Sequence, residues 1–118
     1  MIENTLDLAH TVVDTLDIKK GENILLLDLI GICSFTDYFV ICSGTSERML
    51  RALSDEVQRS IKKNHSIRAA SVEGKSGEVG WTLIDYGNLV IHIFSPAMRE
   101  YYGLEDLWKE GKVLLHMQ

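Results

Sequence analysis

Residues 81–94, WTLIDYGNLVIHIF, constrain this chain more than any other stretch. Two runs of β-branched and apolar residues flank Gly87-Asn88, a dipeptide suited to a two-residue hairpin turn. Laying Tyr86 opposite Leu89 sets Ile84 against Ile91 and Thr82 against Ile93. Successive side chains leave a strand on opposite faces, so one face carries Thr82, Ile84, Tyr86, Leu89, Ile91 and Ile93. The other carries Trp81, Leu83, Asp85, Val90, His92 and Phe94. The first set is ordinary core. The second mixes large aromatics with an acid and a histidine, which suits a surface that meets a partner better than a dry interior.

The rest of the chain supplies cover for such a hairpin. Leu6, Ala9, Val13 and Leu16, with Ile2 before them, recur at helical spacing and predict a helix over 5–18, capped by Asn4. Residues 23–30 and 38–42 are short apolar runs that read as buried strands, separated by the loop GICSFTD. After Ser43-Gly44, Thr45 or Ser46 opens a long helix with Leu50, Leu53, Val57 and Ile61 on its buried stripe. Its Arg48, Arg51, Arg59, Lys62 and Lys63 are expected to face water. Residues 66–73 read as a third strand, Gly74 to Glu78 as a flexible loop, and Ser95-Pro96 as a helix opening. Gly103 ends that helix, and Leu104 to Trp108 make a last turn. Lys109 to Gln118 show little pattern and are expected to fray. The order implies a single domain over 1–118: an α/β or α+β sandwich with a mixed five-stranded sheet flanked by helices. A chain of 118 residues can bury roughly two thirds of its unfolded surface without disulfides or metal.

Several chemistries are disfavoured. A net charge of −5 argues against a general or sequence-specific nucleic-acid binder and suits a basic protein partner. No apolar run approaches the roughly 20 residues of a membrane span. The opening MIENTLDLAH carries Glu3 and Asp7 and no basic segment, so a cytoplasmic location is expected. Cys33 and Cys42 lack metal-ligand spacing, and neither has the setting of a nucleophile. Strand, then Ser43-Gly44-Thr45-Ser46, then helix resembles the opening of the nucleotidyltransferase fold. That fold needs two acids one residue apart on a following strand to seat metal ions. No such pair occurs on any predicted strand, so neither catalysis nor a cofactor or metal is expected. His92 and Asp85 lie diagonally across the hairpin as a conceivable base and orienter. No nucleophile accompanies them, which favours a hydrogen-bonded sheet histidine.

The aromatic and acidic residues are more informative. Trp81, Phe94, Tyr101, Tyr102 and Trp108 crowd into the last third of the chain. From Glu73 to Asp106 there are six acids against two bases, Lys75 and Arg99. Protein interfaces favour large aromatics as anchors, and peripheral charge steers the encounter. Trp108 fits either a core or an interface.

The motifs TDYFVICSGTSER at 36–48, VEG at 72–74, W-x-L-x-D-Y-G at 81–87, VIHIF at 90–94 and R-x-Y-Y-x-LE-x-LW at 99–108 carry a family resemblance. Together they resemble the Iojap family, whose bacterial members are called ribosomal silencing factors. The resemblance implies a nucleotidyltransferase-like fold without the catalytic acids. It also implies a factor that binds the large ribosomal subunit through ribosomal protein L-fourteen. There it would block joining of the small subunit by steric exclusion and repress translation. Trp81, Asp85 and Tyr86 fall on the family's hairpin signature, and Arg99, Tyr102, Leu104, Glu105 and Trp108 on its C-terminal one. The expected partner-binding set is Trp81, Leu83, Asp85, Tyr86, Met98, Glu100, Tyr101, Tyr102, Leu104 and Glu105. Trp81 and Leu83, with Tyr101 or Tyr102, would anchor the contact, while Asp85, Glu100 and Glu105 would meet lysine or arginine. A residual nucleotide-binding enzyme and a self-pairing homodimer are the alternatives.

Overall fold

The computed structural model describes residues 4–74 and 80–118. The position of Ile2 on the first helix and most of the Gly74–Glu78 loop lie outside the described residues. In chain order the elements are α1 (Thr5–Ile18), β1 (Glu22–Asp28), β2 (Tyr38–Ser43), α2 (Glu47–His65) and β3 (Ser71–Glu73). They continue with β4 (Trp81–Asp85), β5 (Leu89–Phe94), α3 (Pro96–Tyr102), α4 (Leu104–Leu107) and β6 (Lys112–Met117). One six-stranded sheet runs β3-β4-β5-β2-β1-β6. β2 and β5 pair in parallel and the other neighbours are antiparallel. The mixed α+β class is as expected from the sequence.

The hairpin register is the one read from its turn: Thr82 faces Ile93, Leu83 faces His92, and Ile84 faces Ile91. Helix ends also follow their caps. Asn4 Oδ1 accepts the Leu6 N–H at 2.9 Å, Ser46 Oγ that of Met49 at 3.1 Å, and Ser95 Oγ that of Met98 at 3.2 Å. Gly103, at φ 57°, adopts the left-handed conformation that closes α3.

The C-terminal expectation needs correcting. Residues 112–117 do not fray. They form β6, which pairs with β1 and raises the strand count from five to six. The apolar alternation is obscured because Leu26 pairs with Leu115 but Leu27 with Val113, leaving Leu114 as an extra residue in a bulge. A bulge resets which side chains point inward, so a period-two pattern breaks at that residue. The third strand is also shorter than 66–73. Ser66, left-handed at φ 59°, closes α2, and pairing begins only at Ser71.

The two faces of the sheet are covered unequally, and this positions the site. α1 and α2 lie together over Ile24, Leu26, Val40, Ile84, Leu89, Ile91 and Ile93, all buried. Two polar contacts fasten the helices: Thr15 Oγ1 donates to Ser60 Oγ at 2.9 Å, and Thr11 Oγ1 lies 2.8 Å from His65 Nε2. Among the described residues, the opposite face, with Leu25, Leu27, Phe39, Ile41, Val90 and Phe94, is met by the short α3 and α4, Trp108 and the segment around Leu29 and Cys33. Two helices of 7 and 4 residues cannot roof six strands.

Candidate protein-binding groove

The incomplete cover leaves an apolar groove of about 420 Å³ on this face. Its lining comes from alternate positions of three strands: Phe39 of β2, Val90 and His92 of β5, and Trp81, Leu83 and Asp85 of β4. Phe35 in the β1–β2 loop, Leu104 and Leu107 of α4, and Trp108 complete it, and Glu73 of β3 adds a second acid beside Asp85. Strand pairing places Glu73 opposite Leu83 and Ser71 opposite Asp85, so the two acids lie diagonally to each other beside Leu83.

Aromatic packing makes the groove rigid. Trp81 stacks on Phe94 with centroids 5.3 Å apart and meets Tyr102 at 4.7 Å. Trp108 meets Phe39 and Phe35 edge-on, each at 6.1 Å. Such pairs contribute about 0.5–1.5 kcal/mol each beyond area burial. The rim, in contrast, is open: Phe35 is 63% exposed and Leu107 68%. Large apolar side chains gathered at one mouth mark an interaction surface more often than scattered ones do.

His92 is 4% exposed and serves the groove structurally. The Trp81 indole Nε1–H donates to its Nδ1 at 3.2 Å, which fixes the neutral tautomer with the proton on Nε2. Burial pushes its pKa down to about 4, because desolvation penalises the imidazolium. Asp85 does not orient it. The Asp85 carboxylate accepts the Gly87 N–H at 2.7 Å and so shapes the hairpin turn.

Of the residues expected from the sequence, Trp81, Leu83, Asp85 and Leu104 come together in this groove. Tyr102 leans on Trp81 and, with Met98, lines an adjoining hollow that also takes in Thr45 and Ser95. Glu100 and Tyr101 are exposed on α3. Glu105 is committed internally: Arg99 Nε and a terminal nitrogen donate to its two oxygens at 2.9 and 3.1 Å. The other terminal nitrogen of Arg99 donates to the Asn23 carbonyl at 2.7 Å and to Ser43 Oγ at 2.9 Å. Tyr86 is the residue the fold separates from the rest, since it packs against the helix-covered core. Phe35 and Leu107 belong to the groove without a signal in the sequence periodicity, and Glu73, the first of the six acids from Glu73 to Asp106, joins it from β3. An aromatic inside the GICSFTD loop is the available signal for Phe35.

Comparison with known proteins places these features in context. A family model described as "Ribosomal silencing factor during starvation" matches residues 2–117. A Bacillus subtilis protein named ribosomal silencing factor RsfS is 40% identical over 95 residues, covering 80% of this chain and 79% of its own. A mouse protein named for mitochondrial assembly of the ribosomal large subunit is 43% identical over 76 residues, 63% of this chain and 33% of that longer one. A crystal structure of a Chromobacterium violaceum protein superposes with a TM-score of 0.84 at 31% identity, covering 91% of this chain and 88% of that one.

Proposed function

The chain belongs to the ribosomal silencing factor family, and from that premise we propose that its groove docks on a protein of the large ribosomal subunit, ribosomal protein L-fourteen, where the bound domain keeps the small subunit from joining. The observation that carries this reading is the groove itself: an aromatic channel with an exposed apolar mouth and two carboxylates, on a sheet face that its own helices cover only in part.

The mechanism is exclusion by volume. The domain measures 38 by 33 by 24 Å, thick enough to hold two surfaces apart that must otherwise touch. An apolar partner side chain would lie against Trp81, Leu83 and Leu107, displacing poorly held water. A neighbouring lysine or arginine would reach Glu73 and Asp85, which adds specificity and speeds the encounter. Nothing in this mechanism requires a bond to be made or broken, and no described strand carries two acids one residue apart. The action would take place in the compartment that holds assembling ribosomes, the cytoplasm in a bacterial cell.

The test is a pull-down of large subunits and of purified L-fourteen with the tagged chain, followed by a subunit-joining assay. The reading expects capture of both and fewer joined ribosomes. A chain that self-associates through the same mouth and captures neither would favour the homodimer instead.

A further inference from the structure

The helix-covered side carries a second concavity, which the docking groove does not use. It opens where the C-terminal half of α2 meets residues 67–72 and encloses about 430 Å³, within the usual range for small-molecule sites. Arg59, Lys62 and Arg68 stand around it, Ile67 and Val72 form its apolar wall, and Tyr86 closes it. None of its lining residues is acidic. The charge is segregated along the chain as well. Residues 57–72 hold Arg59, Lys62, Lys63 and Arg68 and no Asp or Glu, in a chain whose net charge is −5.

Two further observations separate this cavity from an ordinary solvated helix face. Among the described residues no carboxylate pairs with Lys62 or Arg68, whereas Arg59 is partly neutralised by Glu56 at 2.6 Å. The Tyr86 hydroxyl is shielded from solvent and has no hydrogen-bond partner among the described residues, an arrangement that costs free energy unless an acceptor is supplied.

We propose that this cavity binds a small phosphorylated molecule of nucleotide size. Arg68 offers a planar fork suited to two phosphate oxygens, and Lys62 a mobile point charge. The apolar wall and the Tyr86 ring would take the organic part, and the shielded Tyr86 O–H would become a donor once the ring shifts to open it to the bound molecule. The α2 C-terminus opposes this with roughly half a negative charge. That is less than the two unpaired cations, and the Ser66 N–H already caps the Lys62 carbonyl. An extended RNA strand fits less well. Arg48 and Arg51, which would continue a track along α2, lie outside the cavity, and the 67–72 segment walls it on one side.

The site is tested by calorimetric titration and thermal shift with inorganic pyrophosphate, ADP and a ten-nucleotide single-stranded RNA, in the full chain. Pyrophosphate and ADP are expected to bind competitively, with affinity falling as salt rises. Replacing both exposed cations (Lys62→Ala with Arg68→Ala) should weaken ADP about tenfold or more, and Tyr86→Phe about threefold. Trp81→Ala should leave it unchanged, which separates this site from the docking groove. The proposal is overturned if neither pyrophosphate nor ADP binds at about 5 mM, if the double variant binds as well as the parent, or if only the RNA binds.

Discussion

Arg99 is the side chain on which the groove's α-helical wall depends, and its replacement gives a worked prediction. Its side chain is only 10% exposed, and the guanidinium joins three distant parts of the chain. One nitrogen holds the Asn23 carbonyl, at a β1 bulge where φ is 49°, and the Ser43 hydroxyl at the end of β2. The others hold Glu105 at the start of α4. The Glu105 side chain is 44% exposed, so the ion pair contributes only about 1 kcal/mol after solvent screening. The two remaining charge-assisted bonds contribute about 1 kcal/mol each, since breaking them also leaves acceptors unpaired. Arg99→Met should therefore destabilise the fold by about 3 kcal/mol, and Glu105→Gln by about 1. For a domain of this size the first corresponds to a melting-point loss of about 12 °C. Urea unfolding of both variants and of the pair, at unchanged m-value, measures this, and the cycle should return a coupling near 1 kcal/mol. An Arg99→Met loss no larger than that of Glu105→Gln would refute the reasoning, because the contacts to Asn23 and Ser43 would then contribute nothing.

Other outcomes follow from the same geometry. Trp81→Ala should weaken binding to isolated L-fourteen by about 2 kcal/mol or more in a variant whose far-UV spectrum is unchanged, as read by titration calorimetry. Charge reversal at Glu73 and Asp85 should slow association and flatten its salt dependence in stopped-flow measurements, whereas Glu105→Gln should change the rate little because that carboxylate already serves Arg99. Since the folded His92 pKa of about 4 lies below the ordinary 6.5, the unfolded chain binds a proton between those values that the folded chain does not. Its contribution is thus complete above pH 6.5 and lost as pH falls towards 4, by up to about 3 kcal/mol. Urea midpoints against pH should show that slope in the parent and lack it in His92→Asn. Leu115→Ala should cost about 1–2 kcal/mol, a loss that a frayed tail would not show.

The legible parts of this fold were those where local chemistry and tertiary packing agree. Gly87-Asn88 and the flanking alternation gave the hairpin register to the residue, and Asn4, Ser46, Ser95 and Gly103 marked helix ends because a side-chain oxygen or a left-handed backbone is needed there. The mixed face of the hairpin pointed to Trp81, Leu83 and Asp85 for a similar reason: one strand face reads as one surface. What could not be read depends on long-range geometry. β6 exists because β1 offers it an edge, and its bulge at Leu114 hides the pattern. Phe35 and Leu107 reach the groove from a loop and a single helical turn, which carry no periodicity. Glu105 looked like a partner-facing acid, and only the fold shows that Arg99, six residues away, occupies it. Tyr86 shares a motif with Trp81 but not a face, as strand alternation requires.

The central claim is that the aromatic groove on the partly covered sheet face works by occupying a surface that a second particle needs. Light scattering of subunit joining, with the parent chain and a Phe35→Ala, Leu107→Ala variant, tests it most directly, because both side chains are exposed and their loss leaves the core intact. The account predicts that the parent suppresses joining in proportion to its occupancy of large subunits, and that the variant has to be added in large excess for the same effect. Joining that proceeds at the full rate with every large subunit occupied would contradict it.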